Sequence, residues 1–331
     1  MNYRNFPKVE LHLHLDCSLS FEVARKIRPG LTRETYEESF IAPPKCTDLA
    51  DYISRAVRGF ELMQTPEQLR LVTLDLFGQL KKDGVVYAEI RFAPLLHTHQ
   101  GLDAEEVVKE VLTATQQGIL ESGVEARLIL CTLRRFDESQ SLETARLAAK
   151  FRGTLVVGMD IAGDEAGYPI DAHVKAFEFV RSRGIPCTAH AGEAKGAGSV
   201  WETLRDLHPQ RIGHGVRCIE DDHLLEFIRE KGLHLEVCPT SNIQVDVFDR
   251  LEDHPADLLF KKEISLSINT DARTISDTTL VKEYQKLVNA FNWTPDHFKK
   301  CNLQAIAHAF APAEVKERIR RILIAAYASE V

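Results

Sequence analysis

No run of apolar residues in this 331-residue chain approaches the roughly 18 needed to cross a bilayer as a helix. The opening Met1-Asn2-Tyr3-Arg4-Asn5-Phe6-Pro7 also lacks the apolar stretch of a secretory signal, so a soluble, cytoplasmic protein with no membrane partner is expected. Paired cysteines are missing as well. Cys17, Cys46, Cys131, Cys187, Cys218, Cys238 and Cys301 stand singly, with no C-x-x-C among them, which argues against both a disulfide framework and a thiolate zinc site. Positive charge is in short supply: 41 Lys and Arg against 49 Asp and Glu leave a formal net charge of −8. Without a basic stripe interleaved with aromatics, nucleic acid is not an expected partner. Nor is there an internal repeat, a low-complexity tract or a long Pro/Gly/Ser linker. One domain over residues 1–331 is the expected organisation, and nothing in the composition bears on oligomeric state.

What the chain does have is a recurring alternation of short Val, Ile and Leu runs with longer amphipathic stretches. That pattern predicts an α/β protein with a parallel sheet and crossover helices. Eight strands are expected, at Val9 to Leu15, Val85 to Phe92, Ala126 to Thr132, Leu155 to Asp160, Ile185 to His190, Arg211 to His214, Leu233 to Cys238 and Ser265 to Thr270. Helical stretches such as Ala104 to Glu121, Ala172 to Arg183 and Asp222 to Lys231 run between them, with Gly123, Gly184 and Gly232 near their ends. Eight such units suggest a (β/α)8 TIM barrel, with a doubly wound open sheet as the rival. The segment from Phe21 to Lys82 is too long for one crossover and is expected to add helices capping the barrel mouth.

The first strand carries the strongest chemical signal. Val9, Leu11, Leu13 and Leu15 alternate with Glu10, His12, His14 and Asp16, so one face is wholly apolar and the other gathers two imidazoles and two carboxylates. Burying those groups together is costly unless a cation or hydrogen-bond partners compensate. A bound metal is the economical reading, and a polar edge strand with surface histidines is the bland one. Three further strands end in the same chemistry. Thr188-Ala189-His190-Ala191-Gly192-Glu193 runs from an apolar strand into a turn, where Glu193 suits a general acid or base or a plain helix N-cap. Its glycine-rich continuation lacks the G-K-[ST] ending of a phosphate loop. Arg211-Ile212-Gly213-His214-Gly215 leaves His214 free to approach a ligand, or to be an ordinary core histidine. Ser265 to Asp271 places Asp271 at a carboxyl end. Four of eight strands finishing in His or Asp on the active-site face of a barrel make a set. His12, His14, His190 and Asp271 suit one zinc ion, other divalent ions not being excluded, while Glu193 and His214 remain for proton handling and orientation. His97-Thr98-His99 lies after the second strand and reads as solvated loop histidines.

With these residues in hand, the chain resembles the adenosine deaminase family of the amidohydrolase superfamily over nearly its whole length. The resemblance rests on Val9 to Asp16, Asp160-Ile161-Ala162-Gly163-Asp164-Glu165, His190 to Glu193, Arg211 to Gly215 and Asn269-Thr270-Asp271, in the family's order. It implies one catalytic zinc on His12, His14, His190 and Asp271, since no lysine ends the strand at Asp160 to bridge a second metal. It implies Glu193 as proton donor to purine N1, His214 and Asp271 as orienting groups, Asp16 at a ribose hydroxyl and the Gly163 N–H at purine N3. His14 then borders the substrate as well. The substrate implied is adenosine or 2′-deoxyadenosine, released as inosine or 2′-deoxyinosine plus ammonia. Two positions depart from many relatives. Ala272 stands where a second Asp meets purine N7, leaving Arg273, another residue or water to make that contact, and Cys17 stands where glycine is common. Another 6-aminopurine is therefore the alternative substrate: free adenine, an N6-substituted adenine or 6-aminodeoxyfutalosine. A silent purine-binding barrel is a further alternative, against which the retained Glu193, His214 and ligands argue. An amidohydrolase acting on an amide or phosphoester is the last.

Overall fold

The computed structural model describes residues 3–328. Eight parallel strands follow in chain order: β1 Lys8–His14, β2 Val85–Phe92, β3 Glu125–Leu133, β4 Val156–Ala162, β5 Thr188–Ala191, β6 Arg211–His214, β7 His234–Val237 and β8 Ser265–Ile268. They form two four-stranded sheets, β1-β2-β3-β4 and β5-β6-β7-β8. Single parallel bridges join them, Met159 to Cys187 on one side and Leu13 to Asp271 on the other. The chain therefore runs round a (β/α)8 ring with two seams, and the open-sheet alternative falls away.

The second seam is held by a side chain. Asn269 Oδ1 accepts from the Leu11 and His12 N–H groups at 2.8 and 3.1 Å, and Nδ2 donates to the Val237 and Ser267 carbonyls. A polar side chain thus replaces ladder hydrogen bonds where β1 is irregular, between Glu10 and Leu13. Buried backbone groups rarely go without a partner, and here the partner comes from β8's extension.

The predicted strand positions hold, with shifted ends. Leu15 and Asp16 leave β1 for a short 3-10 turn, Leu15–Cys17. Asp271 lies beyond β8 rather than at its end, with φ +63. Five helices fill the long first crossover: α1 Phe21–Ile27, α2 Arg33–Phe40, α3 Leu49–Ser54, α4 Ala56–Phe60 and α5 Pro66–Lys82. α5 starts where Thr65 accepts from the Gln68 N–H with Pro66 next, a normal helix start. It buries Leu69, Val72, Thr73, Leu76, Phe77 and Leu80, the three-and-four spacing of one helix face. α3 and α4 roof the barrel mouth, presenting Leu49, Tyr52, Ile53, Val57 and Phe60 to the cavity below.

Candidate active site

Below that roof the barrel interior is charged. Arg91 on β2 donates to Asp160 at 2.8 Å and to Glu236 at 2.7 Å, and Arg211 on β6 reaches Glu236 at 2.7 Å and Glu89 at 2.6 Å. All five side chains are fully buried, which is tolerable because each charge is paired. The network orients the imidazoles above it. Glu236 Oε2 lies 2.8 Å from His12 Nδ1, and Asp160 Oδ2 lies 3.1 Å from His190 Nδ1. A ring whose Nδ1–H is held by a carboxylate offers its Nε2 lone pair outward, the arrangement that metal-binding histidines use. Sequence reasoning gave no role to Glu236 or Arg91. The alternation of Leu235 and Val237 with His234 and Glu236 in β7 is the same signal as in β1 and would have found the first.

The ligand atoms of His12, His190, His214 and Asp271 all lie within 4.8 Å of one another. His14 joins them, its Nε2 being 3.2 Å from His190 Nε2 and 3.4 Å from Asp271 Oδ1. The five side chains named for the metal and its surroundings therefore meet at one point. Two observations fit a cation there. His12 Nε2 is buried with no hydrogen-bond partner, which is costly for an imidazole nitrogen in a protein interior. His12 also sits between two carboxylates. Burial and Arg91 push its pKa down, but Asp271 and Glu236 outweigh them and hold it up, so the position calls for positive charge. A donor set of imidazole nitrogen and carboxylate oxygen with no thiolate suits zinc and similar divalent ions. Burial lowers the pKa of His14 to about 3 and lowers that of His190 too, which keeps both rings in the neutral form that ligation requires.

Gly213 on β6 makes the cluster possible, because a Cβ there would stand 2.9 Å from His12 Cε1. The two residues at the strand ends beside it, His214 and Asp271, both take left-handed backbone, φ +59 and +63. Such strain in non-glycine residues gathers at functional sites. Asp271 is fixed by Ser241 Oγ, which donates to its Oδ2 at 2.7 Å.

Glu193 closes the site from the β5 side, its Oε2 3.5 Å from His214 Nε2. Burial, then the charges of Asp271 and Glu165, raise its pKa well above the usual carboxylate range. The loop that carries it hangs on one buried carboxylate: Glu165 accepts from the backbone N–H groups of Gly192, Glu193, Ala194 and Lys195, and from Ser199 Oγ. Glu165 appeared in the sequence only as part of a motif, and nothing in its spacing disclosed this role.

A cavity of about 330 Å³ opens over the cluster, lined by His14, Asp16, Gly163, Glu193, His214 and Asp271 together with the apolar roof. Its rim differs from the sequence-based expectation at His97 and narrows the alternatives left open at Arg273. His97 is fully buried, not a solvated loop residue. Its Nδ1 faces the Met63 carbonyl at 3.0 Å and its Nε2 lies 3.8 Å from Asp16 Oδ2, because the segment after β2 packs beneath the roof; His99 is exposed as expected. Arg273 turns away from the cavity into ion pairs with Glu10 and Asp83 at 2.6 and 3.0 Å, so it does not stand in for the hydrogen-bonding side chain that Ala272 lacks. Ala272 lies in an apolar wall with Tyr52 and Ile275. Cys17 does border the cavity, its Sγ 3.7 Å from Asp16 Oδ1.

The family model described as Adenosine deaminase matches residues 7–326. The chain belongs to the adenosine deaminase family. Curated adenosine deaminases similar to it include that of Enterococcus faecalis, 37% identical over 98% of each chain, and that of Haemophilus ducreyi, 37% identical over 94% of each. Among solved structures, an adenine deaminase from Arthrobacter aurescens matches with a TM-score of 0.89 at 25% identity, over 96% of this chain and 98% of that one. That structure shares the architecture seen here.

Proposed function

We propose that this protein is a zinc-dependent hydrolytic deaminase of adenosine and 2′-deoxyadenosine. The observation that carries the reading is a buried Glu193, its pKa raised by burial, beside a cluster of imidazoles and a carboxylate at the floor of a cavity of about 330 Å³. His12, His14, His190 and Asp271 would hold the ion, and a zinc ion with such ligands supplies a water acidified from about 15.7 to roughly 7. The chain's own groups do the rest. Glu193 donates its proton to purine N1, which makes C6 electrophilic. His214 and Asp271 orient the water that adds to C6, and ammonia leaves, so one water is consumed and one ammonia released per inosine formed. Asp16, 3.8 Å from His97, would meet a ribose hydroxyl, and the Gly163 N–H purine N3. The apolar roof excludes bulk water. Seven unpaired cysteines suit a reducing compartment, which supports a cytoplasmic location.

Ala272 and the likeness to an adenine deaminase favour one second reading, a different 6-aminopurine substrate. Ammonia release from zinc-loaded enzyme tests both, using adenosine, 2′-deoxyadenosine, adenine, N6-methyladenosine and 6-aminodeoxyfutalosine side by side. Fast turnover of adenosine supports the first reading. Turnover of adenine with none of adenosine overturns it.

A further inference from the structure

We infer that a chain of four hydrogen-bonding groups, outside anything assigned above, fixes which nitrogen of His214 carries the proton. It begins at a backbone amide. The Ala256 N–H donates to His254 Nδ1 at 3.1 Å, so that nitrogen bears a lone pair and the His254 proton is on Nε2. His254 Nε2 meets Asn242 Oδ1 at 3.2 Å, and only the histidine can be the donor. With its oxygen so engaged, Asn242 turns its Nδ2 toward His214 Nδ1, 3.1 Å away. An amide nitrogen can only donate, so His214 Nδ1 is an acceptor and the His214 proton stands on Nε2. That atom has no partner of its own and lies 3.5 Å from Glu193 Oε2, facing the cluster. Each direction follows from the one before, and the amide orientation is set by the network.

The consequence separates two histidines that distance alone does not. The ligand atoms of His214 lie within 4.8 Å of those of His12, His190 and Asp271, yet its Nδ1 is taken by Asn242 and its Nε2 carries hydrogen. It is a donor facing the reacting atoms and not a ligand. His14 carries no such lock and takes the ligand position. His254 and Asn242, both buried, are thus positioning residues that act through His214. The backbone supports the arrangement: Asn242 lies in the helix Pro239–Gln244, and its carbonyl accepts from the Val247 N–H.

This inference rests on the deaminase reading for its kinetic arm only. The first test needs no substrate. In zinc-loaded, 15N-histidine-labelled full-length protein, His214, assigned by its loss in His214→Gln, should show a protonated Nε2 and a bare Nδ1; the reverse pattern overturns the proposal. The second test uses Asn242→Asp, which places an acceptor at Nδ1 and draws the proton there. Turnover should fall by about ten- to a hundredfold, the range typical of a group that orients a site residue, with KM little changed and zinc content still one. His254→Phe should lose turnover similarly, and His254→Gln, which keeps both an acceptor and a donor, should recover much of it. Wild-type turnover in Asn242→Asp, or no difference between the two His254 variants, sinks the chain. If those variants fail to fold, the spectrum of the unaltered protein still decides. If no aminopurine is turned over, the spectrum also stands apart from that failure.

Discussion

At the scale of single residues, the proposed chemistry has Glu193 keep its proton beside the carboxylates of Asp271 and Glu165. Glu193→Gln retains size and hydrogen bonding but removes the acidic proton, so turnover should fall by about 10²–10⁴-fold while metal analysis still finds one ion. Near-normal turnover in that variant would remove Glu193 from the reaction. The raised pKa also sets a pH arm. The active form is the protonated one, so kcat/KM should decline as the pH rises through that elevated value, and a rate that keeps climbing there would contradict the assignment. Asp271→Ala should lose both metal and turnover, since it deletes an anion that faces His12 at 3.3 Å and His14 at 3.4 Å. Full metal occupancy in that variant would mean that the ligand set is wrong.

At the scale of elements, the site depends on how closely strand ends and loops approach. Gly213→Ala drives a methyl into His12, and overpacking of this kind costs about 1–3 kcal/mol. A lowered denaturation midpoint together with weakened metal binding is expected, whereas a stable variant with normal metal content would show that β6 can move aside. Glu165→Gln should free the loop of residues 192–195, because an amide cannot accept from all the N–H groups that the carboxylate gathers. Amide hydrogen exchange should quicken there, and unchanged protection would mean that the loop does not depend on Glu165. This scale also shows what sequence can and cannot disclose. His12 and His14 were legible from the two-residue alternation of apolar and polar side chains in β1, and His190 and His214 because each lies at or next to the end of a short strand that runs into a glycine-containing turn. Asp271 was legible as a residue but not as a position, since it lies beyond β8 in a left-handed conformation that alternation does not describe. His97 was misjudged because its burial depends on contacts with Met63 and Asp16, distant in sequence, and not on its own strand. The pairing of Arg91 with Glu236 spans 145 residues and leaves no local trace. The capping helices could be anticipated only as excess length.

At the scale of the whole molecule, several imidazoles are buried in the neutral form. Burial lowers the pKa of His254 from 6.5 to about 3, lowers that of His173, and with His308 and Arg211 puts that of His234 well below its usual value. Once the pH drops below about 6.5, the unfolded chain protonates these rings while the folded chain does not. The unfolded state then binds more protons, and stability falls as the pH falls, by up to about 1.4 kcal/mol per pH unit for each such ring. Thermal unfolding followed between pH 7 and 4 should show a steadily decreasing Tm, and a Tm that rises toward pH 4 would contradict this burial.

The two seams divide the barrel into halves of four strands each, and buried polar contacts cross between them. Arg91 reaches Glu236, Arg211 reaches Glu89, Asp160 orients His190, and the candidate ligands come two from each half. One ion pair closes within each half, Arg91 with Asp160 and Arg211 with Glu236, but Glu89 finds its cationic partner, and the four candidate ligands come together, only across the seams. Produced as separate polypeptides, the halves would therefore resemble an obligate heterodimer, each meeting the other through one continuous apolar core and through the charged contacts that cross the seams.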